Sequence, residues 1–173
     1  IMIRRAEPGD IKRIMEIVAK VLAEMRASGS DQWSEEYPAE SHFRADLASG
    51  ELYVDESDAI PGLVRGMACI NQAESPEYAE VAWSRSGPAT VVHRLAVDPE
   101  CQKQGVASRL FGLADELARQ NGSGYLRSDT YSLNPRMNAL FAKLGWRRTG
   151  VIRFPRRREW FYCWDKELGD GGH

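Results

Sequence analysis

Cysteine is scarce in this chain, and its placement argues against a disulfide framework. Cys69, Cys101 and Cys163 are odd in number and far apart, which suits reduced thiols in a cytoplasmic compartment. No charge of one sign dominates: 23 Lys and Arg stand against 25 Asp and Glu, a formal net charge of −2. A nucleic-acid or polyanion partner is therefore not expected. No apolar run has the length that crosses a bilayer, so no membrane partner is expected either. No hydrophobic leader block precedes the folded-looking pattern that starts at Met2, and neither internal repeats nor low-complexity tracts are present. A Gly-Lys-Ser/Thr triplet for a P-loop and the three-glycine dinucleotide fingerprint are also missing. What is left is a chain of 173 residues, 43% hydrophobic and 28% charged, long enough to bury a core without staples. A single domain is expected over 1–168, with 169–173 a frayed tail outside it.

The elements alternate along the chain. Residues 2–6 read as an opening strand. Asp10 then reads as the cap of a helix whose apolar residues, among them Ile11, Ile14, Val18 and Leu22, recur at helical spacing until Gly29. A polar loop with two exposed-looking aromatics, Trp33 and Tyr37, leads into a shorter helix over 39–48. Residues 52–54 and 63–70 pattern as antiparallel strands, and 71–88 as a long solvent-facing connection. The strand 90–97 runs into Asp98-Pro99 and a helix over 105–120, closed by Asn121-Gly122. A strand over 125–130, a helix over 135–143 and strands over 147–152 and 159–166 follow. This order predicts an α+β domain with a mixed, centrally placed sheet.

The most informative stretch is the passage from Val92 through Asp98 to Leu110: a strand, a tight turn and a helix that opens with small residues. A helix N-terminus carries unpaired amides and partial positive charge, so such a turn suits an anion. Gly105 permits backbone angles or a close approach that a Cβ would block. Ala107 and Ser108 keep the first helical turn low, and Lys103 adds a mobile cation. A helix start whose glycine merely makes a tight turn is the competing reading of the same residues.

Gln102-x-x-Gly105-x-Ala107, preceded by Leu95-Ala96-Val97-Asp98-Pro99, resembles the pyrophosphate-binding signature of the GNAT superfamily of N-acetyltransferases. A second block, from Asn134-Pro135 through Phe141 to Leu144-Gly145-Trp146, resembles that family's later helix, and the order of elements matches over about 2–166. The resemblance implies a layered α/β/α GNAT fold with six or seven strands, four helices and a splayed parallel strand pair around Leu95 and Leu126. It implies acetyl-CoA as co-substrate and no metal. By resemblance, the amides of Gln102, Lys103, Gln104, Gly105, Val106, Ala107 and Ser108 would hold the coenzyme's pyrophosphate. Leu95, Ala96 and Val97 would line its pantetheine arm, and Asn134 and Phe141 would meet it from the other side. Many members dimerise, which leaves a homodimer open.

Amide formation needs a neutral amine, so a base is useful. His93, on the strand before the turn, is the best candidate, because histidine titrates near neutrality and the aralkylamine acetyltransferases of this superfamily place a catalytic histidine at the matching position. Glu80 is a second base, acting through water. Many members carry a tyrosine where this chain has Phe141, and a phenyl ring cannot protonate the departing thiolate; Tyr131, Ser132 or water is the expected substitute. A thiol with a pKa near 8.5 leaves as thiolate at only ~2 kcal/mol of disadvantage at neutral pH, so a missing acid slows the reaction without forbidding it. Asp31, Gln32, Trp33 and Tyr37 would line the acceptor pocket, a carboxylate for a cationic amine beside an aromatic wall. Gly29-x-Asp31-Gln32-Trp33 together with Asp129-Thr130-Tyr131 resembles a bacterial-type small-molecule subgroup, a likeness that supplies no acceptor. The arginines Arg153, Arg156, Arg157 and Arg158 form a charged turn. The expected reaction is acetyl transfer to a small-molecule primary amine; transfer to a peptide or protein, and coenzyme binding without turnover, are the alternatives.

Overall fold

The structure, a computed structural model, describes residues 2–169. Along the chain run β1 (Ile3–Arg5), α1 (Ile11–Ala27), α2 (Glu40–Ala48), β2 (Leu52–Glu56), β3 (Val64–Asn71), β4 (Thr90–Val97), α3 (Val106–Gln120), β5 (Tyr125–Tyr131), α4 (Pro135–Lys143), β6 (Arg147–Ile152) and β7 (Phe161–Glu167). The seven strands form one mixed sheet in the order β1-β2-β3-β4-β5-β7-β6. β1, β2 and β3 pair antiparallel, while β4 and β5 run parallel, with Thr90 opposite Leu126 and Val91 opposite Arg127. β7 lies antiparallel between β5 and β6. The mixed sheet and four helices are those the sequence predicts. The chain forms two compact units, one from residues up to Ile70 with His93–Leu113, the other from Asn71–Val92 and the residues from Ala114 on. Most of the tail, 170–173, lies outside the described residues.

The first unit buries the helical stripe of α1 against alternating strand residues. Ile11, Ile14, Ile17 and Val18 meet Phe43 of α2, Leu52 and Val54 of β2, Val64 and Met67 of β3, and Ala96 of β4. Gly66 makes one close approach possible: a Cβ there would lie 2.8 Å from the Ala96 carbonyl oxygen and 2.6 Å from Val106 Cγ1, so only glycine lets the start of α3 sit against β3. Asp10 stands at the N-cap position of α1, as expected, but its side chain makes no cap bond to that helix. Its carboxylate accepts from the Glu7 amide at 2.7 Å and from both terminal nitrogens of Arg4, which draws it back onto the preceding short 3-10 turn.

The second unit buries Tyr78, Val91, Tyr131, Ile152, Phe161 and Cys163. The connection 71–88 is mostly exposed, as expected, but it is anchored at particular points. Its short 3-10 turn, Pro76–Glu80, buries Tyr78, and Glu74, Ser84 and Arg85 are tied to the sheet by polar contacts. Asp165 accepts from the Ser84 amide at 2.8 Å, the Ser84 hydroxyl at 3.0 Å and the Tyr125 hydroxyl at 2.6 Å. Arg127 donates to Glu74 at 2.8 Å and to the Arg85 carbonyl at 2.6 Å, and lies over the Trp83 ring. Asp165 and Arg127 are buried charged groups on neighbouring strands, and the connection supplies the partners that such groups require. No helix among the described residues is long and apolar enough to cross a membrane.

Candidate active site

Between β4 and α3 the chain makes the turn singled out in the sequence. A 3-10 turn, Pro99–Cys101, follows Asp98, and α3 starts at Val106. Lys103 and Gly105 have φ of 64° and 76°, in the left-handed region. Lysine there costs roughly 1–2 kcal/mol of backbone strain, a cost that the surrounding contacts must offset. Lys103, Gln104, Gly105 and Ser108 are exposed, while Val106 is buried and anchors the helix start.

Buried aspartates hold the turn at both ends. Asp98, 1% exposed, accepts from the Glu100 amide at 2.9 Å, from Arg13 of α1 and from Lys20 at 3.4 Å. Burial works to raise its carboxyl, but the Glu100 amide and the Arg13 guanidinium outweigh burial and hold it below the ordinary carboxylate value. At the other end Asp55 of β2, 0% exposed, accepts from Arg65 Nε at 2.8 Å and from Arg109 Nε at 2.7 Å. Both arginines reach Gln104: Arg109 Nη1 donates to its carbonyl at 2.8 Å and Arg65 Nη1 to its side-chain oxygen at 3.3 Å. The turn fits a phosphate on two counts. Exposed chain with positive φ meets a helix start, whose first amides have no intrahelical partner. The guanidinium lying against Gly105 also keeps one donor, Arg109 Nη2, buried with no hydrogen-bond partner among the described residues.

β4 carries His93 half-buried, with Leu95 half-buried and Ala96 and Val97 buried beyond it. Arg94, next to His93, has φ of 50°, so the extended backbone is interrupted there. Its guanidinium grips Asp46 of α2 with two bonds, at 2.8 and 2.7 Å, and donates to the Tyr37 hydroxyl at 3.2 Å. The acceptor-loop residues divide. Trp33 is not exposed as its loop suggested: at 7% exposure it belongs to the core cluster of α1 and α2, because a polar loop still covers an apolar helix face. Tyr37 is 37% exposed, edge-on to His42 and joined to the strand by Arg94; Asp31 and Gln32 lie half-buried in the same loop.

The remaining predicted residues belong to the second unit. Glu80 is exposed at the end of its 3-10 turn. Tyr131 is fully buried, its ring against Phe161 and its hydroxyl accepting from the Glu159 amide at 3.0 Å, which makes it a packing residue. Asn134 caps α4, its side chain accepting from the Met137 amide at 3.1 Å. Phe141, 1% exposed, stacks on Trp164 with centroids 5.5 Å apart and meets Trp146 edge-on at 4.9 Å. Of the arginine turn, Arg153 lies over the Trp160 ring.

The sequence reading missed Asp46, Asp55, Arg65, Arg94 and Arg109. A signal existed: Arg65, Arg94 and Asp55 each interrupt an apolar strand run, and a charge in such a run needs a buried partner. It also missed Asp129 of β5, which accepts from the Tyr78 hydroxyl at 2.6 Å; burial pushes its carboxyl up to about 6.

Solved structures of the same architecture include a GNAT-family acetyltransferase from Streptococcus agalactiae, with a TM-score of 0.82, 24% identity, and 96% of this chain and 95% of that one covered. A Salmonella typhimurium protein solved with its cofactor acetyl-CoA aligns with a TM-score of 0.67 at 19% identity, over 99% and 95% of the two chains. The ribosomal-protein alanine N-acetyltransferase of Escherichia coli aligns with a TM-score of 0.66 at 14% identity, over 99% and 97%. These likenesses establish the fold. The sequence model of the acetyltransferase (GNAT) family matches residues 18–146, and the chain belongs to that family. No protein of curated function matches the sequence.

Proposed function

We propose that this protein transfers the acetyl group of acetyl-CoA to the primary amine of a small molecule by direct attack on the thioester. The observation that carries the reading is the turn Gln102 to Ser108, which is exposed at Lys103, Gln104, Gly105 and Ser108, has positive φ at Lys103 and Gly105, and is braced by Asp98 and Asp55. Its amides supply donors suited to the coenzyme's diphosphate, with Lys103 beside them and Arg109 holding the Gln104 carbonyl behind. Leu95, Ala96 and Val97 follow the pantetheine arm, and Asn134 and Phe141 are assigned to it by family likeness. Tyr37, Asp31 and Gln32 are the loop residues assigned to the acceptor amine.

In the reaction the amine nitrogen forms a bond to the acetyl carbon, the carbon–sulfur bond breaks, and coenzyme A leaves as thiolate. The amine must first lose its proton, and His93 is the group assigned to take it; Glu80, exposed on its turn, is the alternative acceptor through water. Phe141 has no proton to give and Tyr131 is buried in the core, so Ser132 or water is left to protonate the product thiolate.

The test is thiol release from acetyl-CoA by the full chain against a panel of small amines and peptides. Turnover on amines is expected, and release with peptides alone would overturn the small-molecule assignment. His93→Ala should lower kcat/KM about 100-fold near neutral pH, with the gap closing as the amine deprotonates unaided at high pH. A pH-independent difference would remove His93 as base.

A further inference from the structure

The carbonyl of Gln104 and the amide of Gly105 belong to one peptide group. That bond is trans, the single cis peptide among the described residues being Tyr37-Pro38. In a trans peptide the C=O and N–H point in opposite directions. Arg109 Nη1 donates to the Gln104 carbonyl at 2.8 Å, so the same contact turns the Gly105 N–H away from the guanidinium. Arg109 is itself held: its Nε donates to Asp55 at 2.7 Å, and its own amide closes the first turn of α3 on the Gly105 carbonyl at 3.0 Å. Asp55 spends its other oxygen on Arg65, at 2.8 Å, and Arg65 reaches the Gln104 side chain.

We infer that Asp55 and Arg109 are positioning residues for the coenzyme: Asp55 fixes Arg109, and Arg109 aims the Gly105 amide at the diphosphate. The inference rests on the coenzyme reading above. Three features support it. A Cβ at position 105 would lie 2.9 Å from Arg109 Nη1, so any side chain there would push the guanidinium off the Gln104 carbonyl, in addition to the strain of a positive φ. One carboxylate between two guanidiniums leaves the cluster net positive, and its field beneath the turn favours an anion over a cation there. Packed apolar side chains would stabilise such a buried spot as well as an ion triad. They could not hold a peptide carbonyl, and the arginine does.

Calorimetry with acetyl-CoA on the full chain, read beside circular dichroism, separates positioning from folding: irreversible loss of folded protein lowers the stoichiometry, and reversible unfolding raises the apparent Kd only by the inverse of the folded fraction that dichroism reports. Asp55→Asn and Arg109→Met are each expected to raise Kd about tenfold, the effect of losing one charge-assisted contact. Arg109→Lys should fall between, since an ammonium can hold the carbonyl but does not span the carbonyl and Asp55 as a fork does. In turnover, the change falls on KM for acetyl-CoA rather than on kcat. Should Asp55→Asn fail to fold, Arg109→Met, at a partly exposed position, decides. Wild-type binding with Kd of the variants within about twofold would overturn the positioning role alone. Wild type that binds no acetyl-CoA would overturn the coenzyme reading, and this inference with it.

Discussion

Asp129 shows how one side chain can set a pH response. Burial pushes its carboxyl up to about 6, against the Tyr78 hydroxyl, which favours the charged form, while the Glu77 charge adds to the rise. A folded value above the ordinary 3.8 means that ionisation is harder in the folded state than in the unfolded one. The resulting penalty is absent below pH 3.8, where both states are protonated, and complete once pH has risen past about 6. Asp129→Asn keeps an acceptor for Tyr78 and removes the charge. Its unfolding free energy at pH 8 should exceed that of wild type by up to about 3 kcal/mol, and the two should converge below pH 4. Denaturant titrations at both pH values check this, and superposed curves at pH 8 would refute it. The pair was not legible in the sequence, because Tyr78 lies in a stretch with the composition of a solvent-facing loop. The glycine at 105 was legible, since the helix start is local and the residue type reports its backbone angle.

Among the elements, β4 depends most on a partner distant in sequence. Its extended backbone breaks at Arg94, and the guanidinium there is neutralised by Asp46 on α2. Removing one member of such a buried pair strands the other, so Arg94→Met should destabilise by about 3 kcal/mol in denaturant unfolding. The double variant Arg94→Met/Asp46→Leu should recover most of that loss. A double variant as unstable as the single would mean that the backbone at Arg94, not the ion pair, sets the cost. The span of β4 itself, and those of α4 and β6, follow the sequence reading residue for residue, because apolar alternation and a Pro or Gly stop are local signals. The pairing of Arg94 with Asp46 is not local, and no spacing rule reports it.

For the molecule as a whole, the three thiols are buried, and none is in a disulfide. Burial pushes both Cys69 and Cys163 up to about 12, the first with help from the Asp46 charge and the second from Asp129; burial also raises Cys101. At pH 8 a thiol of that kind is ionised only on the order of one part in 10⁴, and the thiolate is the reactive form. A chromogenic disulfide reagent should therefore titrate less than one thiol in the native protein, and all three after unfolding in guanidinium. Rapid native labelling of two or more would show that the fold opens readily around them.

The amino-acid sequence by itself determined the order of strands and helices, the glycine turn that opens α3 and the family to which the chain belongs. Each is written in residues close together along the chain. Tertiary structure decided which charges meet: Asp55 with Arg65 and Arg109, Asp46 with Arg94, Asp98 with Arg13, and Asp129 with Tyr78. It also decided that Trp33, Tyr131 and Phe141 pack as core. The physical reason is that a buried charge or ring takes its partner from whatever the fold brings alongside, in most of these cases tens of residues away, and sequence spacing carries no record of that encounter.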